Sequence, residues 1–203
     1  MLFNPIFWRS ALYLPALLLS LALLGFLSGC TTETEVSSRF SPSAPAVLSV
    51  SEPGVNIPAQ ARFAWLPESL EFHADPRFQG AKIDSMIEEA IHLSLRQRNY
   101  VMQSNAAGVD YFLAYVAALE NDMDDNVILQ RFGIVPGITA AAVDGQKMEK
   151  GTLIIYVVDA RSGKNIWRSA LQTMVTLEMD NSLRQQRINA AVESMFATLP
   201  GSR

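Results

Sequence analysis

The segment that most narrows the fold is Thr152-Leu153-Ile154-Ile155-Tyr156-Val157-Val158, followed by Asp159-Ala160-Arg161-Ser162-Gly163-Lys164 and then Asn165-Ile166-Trp167-Arg168-Ser169-Ala170-Leu171. β-Branched and aromatic side chains fit a pleated, half-buried surface. The cluster between the two runs supplies turn chemistry, and Gly163 takes the positive φ that a side chain resists. Two such runs joined by a short polar turn read as an antiparallel hairpin beginning near Gly151. A hairpin cannot bury its apolar face alone. The rest of the chain must supply further strands and a cover.

Those pieces are legible. Val47-Leu48-Ser49-Val50 reads as a short strand, and Arg62-Phe63-Ala64-Trp65-Leu66 as another that stops at Pro67. Tyr100-Val101-Met102 starts a third. Asp110 to Leu119 is apolar after its first residue and suits a central strand, although a buried helix has the same signature. A helix over residues 82–98 follows from Ile83, Met86, Ile87, Ala90, Ile91 and Leu95, with acids early, bases late and Asn99 as its stop. A second, over residues 183–199, carries Ile188, Ala191, Val192, Met195 and Leu199 on one stripe. Ser182 with Gln185 fits a capping box there, and Pro200-Gly201 ends it. Residues 68–80 read as loop. One apolar stripe per helix needs a sheet to cover, so the expected class is α+β: a two-layer sandwich, a mainly antiparallel sheet packed by two helices.

The chain has 203 residues, 49% of them hydrophobic, a net charge of −4 and a single cysteine. That cysteine excludes an intrachain disulfide framework and a cysteine-built metal cage. The mild acidity argues against a nucleic-acid partner. Arg9, the apolar run Ala11 to Leu27 and the small pair Ser28-Gly29 have the parts of an export signal. Leu27-Ser28-Gly29-Cys30 resembles the lipobox of bacterial lipoproteins. The resemblance implies a diacylglyceryl group on the Cys30 sulfur, cleavage before Cys30 and acylation of the new amine, hence a membrane partner through acyl chains. Each buried methylene contributes about 0.8 kcal/mol, and one chain alone anchors only marginally, so several chains make a durable anchor. In such proteins of two-membrane bacteria an aspartate after the cysteine commonly retains the protein in the inner membrane. Thr31 stands there, which points to the outer membrane facing the periplasm. The Ser/Thr/Pro-rich stretch after Cys30 has no apolar period and reads as a flexible tether. The expected organisation is 1–29 signal peptide, 30–46 lipidated cysteine and tether, and 47–203 a single α+β domain.

Several segments together resemble one family of bacterial envelope lipoproteins, the domain of unknown function four-one-three-six. They are Phe63-Ala64-Trp65, Ile83-Asp84, Asn99-Tyr100, Asp110 through Tyr115, and Gly151-Thr152-Leu153 through Asp159-Ala160, then Ser162-Gly163-Lys164 and Trp167-Arg168. The order of these loose motifs, from about Arg62 to Pro200, carries the resemblance. It implies an α+β domain with a lipid anchor and no established activity, so it brings no catalytic residues.

Candidate chemistry is sparse. His73 stands in the 68–80 stretch with Glu71 and Asp75, but two or three such groups fall short of a zinc site, and no metal or other cofactor is expected. His92 follows Ile91 at the edge of the first helix's apolar face. No Gly-x-Ser-x-Gly elbow occurs. Asp122-Met123-Asp124-Asp125-Asn126 begins like a calcium loop, yet Val127 and Gly133 stand where glycine and a bidentate glutamate are required, so the acids read as a solvated bend. Trp65 and Trp167 read as core aromatics. Residues 126–146 form a long, apolar connection between strands. One reading makes Phe132-Gly133-Ile134-Val135 a contact loop for an envelope protein or the lipid surface. The other folds it back as extra core. Three functional readings follow. The favoured one is a lipid-anchored, non-catalytic binding or organising domain. The alternatives are a hydrolase using Glu71, His73 and Asp75, and a small-ligand carrier with a pocket between sheet and helices.

Overall fold

The computed structural model describes residues 45–67, 71–73, 82–120, 122–138 and 148–201. All of them fall in one compact unit, Phe40–Arg203. The strands are β1 (Ala46–Ser51), β2 (Arg62–Trp65), β3 (Glu71–Phe72), β4 (Val101–Met102), β5 (Tyr111–Leu119), β6 (Met148–Asp159) and β7 (Asn165–Thr176). The helices are α1 (Ile83–Gln97), α2 (Asp125–Phe132) and α3 (Asn181–Phe196). The class is α+β.

The sheet runs β1-β7-β6-β5-β2-β4, with β3 sharing an edge of β5 with β2. It is mixed. The long pairings β5–β6, β6–β7 and β1–β7 are antiparallel. The short ones, of β2 with β4 and β5 and of β3 with β5, are parallel. Parallel neighbours need a crossover, and α1 supplies it between β2 and β4. The expected hairpin is β6–β7, longer than its apolar core suggested, with Leu153 opposite Leu171 and Val157 opposite Trp167. Its turn is organised by Asp159, whose Oδ1 accepts from the Ser162 backbone N–H at 2.7 Å and the Ser162 hydroxyl at 2.8 Å. Gly163 sits at φ +68°, as the turn requires.

A period of two sends alternate residues of each strand to opposite faces. Leu113, Tyr115, Leu153, Ile155, Val157, Trp167 and Leu171 face α1 and α3 and form the main core with Ile87, Ile91, Leu95, Val192, Met195 and Phe196. Val116, Ala118, Ile154 and Ala170 face the other way, onto Ile128 and Ile134. β5 is therefore covered on both faces, which is why its sequence is apolar throughout. Arg98 clamps the two main helices together, donating to both Glu193 carboxylate oxygens at 2.9 and 3.1 Å.

Four local expectations change. The cap of α3 is Asp180, not Ser182: Asp180 Oδ1 accepts from the backbone N–H of Ser182 at 2.8 Å and of Leu183 at 3.3 Å. Gln185 instead spends its amide on the Met86 carbonyl of α1, 3.1 Å away. The 68–80 stretch is not all loop, because Glu71–Phe72 pairs with β5. The acids around residue 124 stand at an exposed bend as expected, but they do more than meet solvent. Asp124 caps α2 through the N–H groups of Asn126 and Val127 at 2.8 and 2.9 Å, and Asp125 reaches Lys150 and Gln172. Finally, residues 125–138 hold a third helix and a trailing segment that cover the second face of the sheet.

Candidate functional site

A cavity of about 310 Å³ lies between the sheet and the helices α1 and α3. Its origin is a gathering of small residues at positions where neighbours carry bulk. Ala117 on β5, Gly151 on β6 and Ala191 on α3 all border it. Gly151 leaves little choice, since an added Cβ would stand 3.0 Å from Val175 Cγ1. Around this gap the wall is aliphatic: Ile83 and Ile87 from α1, Leu153 and Leu171 from the sheet, and Ile188 from α3. Two of its lining residues, Pro45 and Ala190, are exposed, so the cavity opens to the surface.

Three cationic or imidazole side chains complete the wall: Arg184, Arg187 and His73. Arg184 is 9% exposed and donates to the Asn181 side chain and the Leu177 carbonyl, both at 2.9 Å. Arg187 donates to the Met174 carbonyl at 3.1 Å, and no carboxylate pairs with it among the described residues. Arg184, Arg187, Ile188 and Ala191 stand at i, i+3, i+4 and i+7, a single helix face. The stripe expected for this helix therefore continues one turn towards its N-terminus and changes there from aliphatic to cationic. His73 Nε2 is buried and makes no hydrogen bond among the described residues, standing 3.8 Å from the Glu71 carboxylate.

The residues singled out in the sequence are dispersed. Cys30 with Leu27, Ser28 and Gly29, and also Asp75, lie outside the described residues. Glu71 pairs with Arg131 of α2 and is too far from His73 for a hydrogen bond. Of the candidate contact loop, Ile134 is 3% exposed and belongs to the second core, with Phe132 and Val135 packed against it. Gly133 caps α2 at φ +68°. The exposed apolar residues of α2 are Val127 and Leu129. Two residues apart, they point about 200° from one another around a helix of 3.6 residues per turn and form no common patch. Trp167 is a core aromatic, 1% exposed, and Trp65 packs half-buried against the same core, its ring stacked on His92.

On the opposite face of the sheet a polar knot fastens α2. The Lys150 ammonium, 4% exposed, lies 2.8 Å from Asp125 Oδ2 and 2.9 Å from Glu120 Oε1. Gln172, fully buried, donates to Asp125 Oδ1 at 2.7 Å and accepts from the backbone N–H of Gly137 at 2.8 Å. Burial by itself raises the Asp125 pKa, but the hydrogen bonds from Lys150 and Gln172 outweigh it and hold the carboxyl below its usual range. Burial likewise lowers Lys150, and its two carboxylate partners outweigh that, leaving it above the usual lysine range. Every member of this knot has a partner, so it holds structure together rather than presenting a reactive group.

A pocket between sheet and helices was one of the alternatives read from the sequence, but its lining residues were not named, and the knot was not anticipated. For the cavity the available signal was the spacing of Arg184 and Arg187 ahead of Ile188 and Ala191. For the knot there was none, because Lys150, Asp125 and Gln172 are far apart in the chain.

The family model described as "Domain of unknown function (DUF4136)" matches residues 48–201. The chain belongs to this family. No activity is assigned by the family's description, and no curated protein matches the chain. Among solved structures the DUF4136 chain is similar to the PelC dodecamer from Paraburkholderia phytofirmans, at 11% identity and TM-score 0.49 over 79% of this chain and 100% of that one. It is similar to a DUF4136 family protein from Bacteroides thetaiotaomicron, at 12% identity and TM-score 0.43 over 75% and 94% of the two chains. It is also similar to a lipoprotein from Neisseria meningitidis, at 13% identity and TM-score 0.39 over 68% and 98%.

Proposed function

We propose that this protein is a lipid-anchored domain of the bacterial envelope that holds an apolar small molecule in the cavity between its sheet and helices. The observation that carries the reading is the cavity itself. At about 310 Å³ it falls within the roughly 300–1,000 Å³ of ligand sites, and it combines an aliphatic wall with a few convergent polar groups. The polar groups suit binding better than turnover. Among the described residues no carboxylate is hydrogen-bonded to His73, and the arginines are donors, not nucleophiles. The anchor rests on Leu27-Ser28-Gly29-Cys30, and Thr31 favours the outer membrane with the domain in the periplasm.

Native mass spectrometry of the full chain, released from membranes in mild detergent, tests the binding reading. A second mass on the wild type that is missing from Ala191→Phe, with both proteins equally folded, is the expected result. The same added mass on both proteins, or on neither, overturns it. Fractionation of cells tests the anchor: the wild type should co-sediment with outer membrane, and Cys30→Ser should leave that fraction.

A further inference from the structure

We infer that the ligand of this cavity is a single-chain amphiphile ending in a carboxylate, of the fatty-acid class, with its carboxylate received by Arg187. This rests on the binding reading above and deepens it.

Size comes first. A water molecule's share of liquid volume is about 30 Å³. A methylene is of similar size, so 310 Å³ matches on the order of ten carbons, the scale of one acyl chain. Polarity comes second. Ile87, Leu153, Leu171 and Ile188 offer an acyl chain dispersion contacts and no competing hydrogen bonds. A wholly apolar ligand would leave the Arg187 guanidinium, with one hydrogen bond to the Met174 carbonyl, part-desolvated, which costs free energy.

Charge decides the head group. A guanidinium has five N–H donors in a planar fork that matches a carboxylate. Arg187 commits one nitrogen to the Met174 carbonyl and has no carboxylate partner among the described residues. Among the described residues Arg62 pairs with Asp110, Arg98 with Glu193, Arg131 with Glu71, and Lys150 with Asp125 and Glu120; Arg187 is in none of these pairs and borders the cavity. Arg184, one turn earlier on the same helix face, adds a second positive charge to the same wall. Ile188 and Ala191 follow on that face, so α3 presents a cation at one end of the cavity's lining and hydrocarbon along the rest. That is the complement of an anionic amphiphile.

The test uses isolated membranes holding the full chain. The probe is a medium-chain fatty acid bearing a diazirine and a terminal alkyne, compared with the corresponding neutral fatty alcohol. After irradiation, labelled peptides are mapped. Labelling by the acid in the peptides that carry Ile87 and Ile188, competed by unlabelled decanoate, is the expected result. Arg187→Gln, which keeps a hydrogen-bond donor, should reduce it roughly tenfold, the scale of one hydrogen bond to a charged group, and Arg187→Lys, which keeps the charge without the fork, should restore part of it. The alcohol should label weakly and equally in all three proteins. Equal labelling of the cavity by acid and alcohol, unchanged in Arg187→Gln, overturns the carboxylate assignment and leaves the cavity-binding reading standing. Labelling of these peptides by neither probe overturns both.

Discussion

At the scale of single residues, two close approaches explain identities that look incidental in the sequence. Gly201 reads as a helix stop, but its Cα hydrogen faces the Tyr100 hydroxyl and the Ile57 carbonyl, and an added Cβ would overlap that hydroxyl and lie 2.9 Å from that oxygen. The backbone here forms a parallel bridge between Ile57 and Gly201, which closes the C-terminus onto the loop before β2. Gly201→Ala should therefore destabilise the domain by about 1–3 kcal/mol through overpacking. Removing the hydroxyl with Tyr100→Phe should recover part of that loss, and thermal melts of the two single variants and the double variant measure the coupling. Ile128 is the second case. It is fully buried under α2, so Ile128→Ala should cost about 2–4 kcal/mol, a value more typical of a central core position than of a connecting loop.

At the scale of elements, α2 is held by polar chemistry as much as by packing. Gln172 reaches from the middle of β7 to the backbone of the segment after α2, accepting from Gly137 at 2.8 Å and Ile138 at 3.3 Å. Gln172→Leu keeps the volume and leaves those two N–H groups without their acceptor. Hydrogen exchange at residues 137 and 138 should accelerate strongly while the β6–β7 amides stay protected, with a loss of about 1–3 kcal/mol in stability. The knot also sets a pH window. Asp125 has a lowered folded pKa, so its stabilisation is present above the ordinary carboxylate range and is lost as pH falls through the folded value. Lys150 has a raised folded pKa, so its stabilisation is complete below the ordinary lysine range and is lost as pH rises through the folded value. Urea midpoints measured across pH should fall at both extremes, and in Lys150→Met the alkaline fall should shrink.

At the scale of the whole molecule, the sheet is covered on one side by α1 and α3 and on the other by α2 with its trailing segment. The two cores differ in size and in what their loss should do. Deleting residues 127–140 removes Ile128 and Ile134 and exposes Val116, Ala118, Ile154 and Ala170, so the deletion should lower the denaturation midpoint of the domain rather than only abolish a surface contact. The cavity lies on the other side, in the larger core, where small residues from three elements coincide. Filling it with Ala191→Phe should raise or preserve stability if the ring enters the gap, which a melting curve reads directly.

The sequence by itself determined what is local or periodic. The β6–β7 hairpin, the stripe of α1, the turn glycine Gly163 and the α+β class follow from side-chain shape, a period of two or 3.6 residues, and turn chemistry, all of which act within a few residues. The capping box read at Ser182 and Gln185 gave way to Asp180 as the cap of α3, because Gln185 is drawn to the Met86 carbonyl of α1, a contact no local pattern shows. Only the tertiary structure brought Asp125, Lys150 and Gln172 together across 47 positions, because hydrogen bonds between distant residues leave no periodic trace. It alone turned Ala117, Gly151 and Ala191 into a cavity, since a void is a property of how three surfaces meet and not of any one of them. The arginines beside it are the intermediate case: their spacing was readable on one helix, but their meaning depended on the empty space they face.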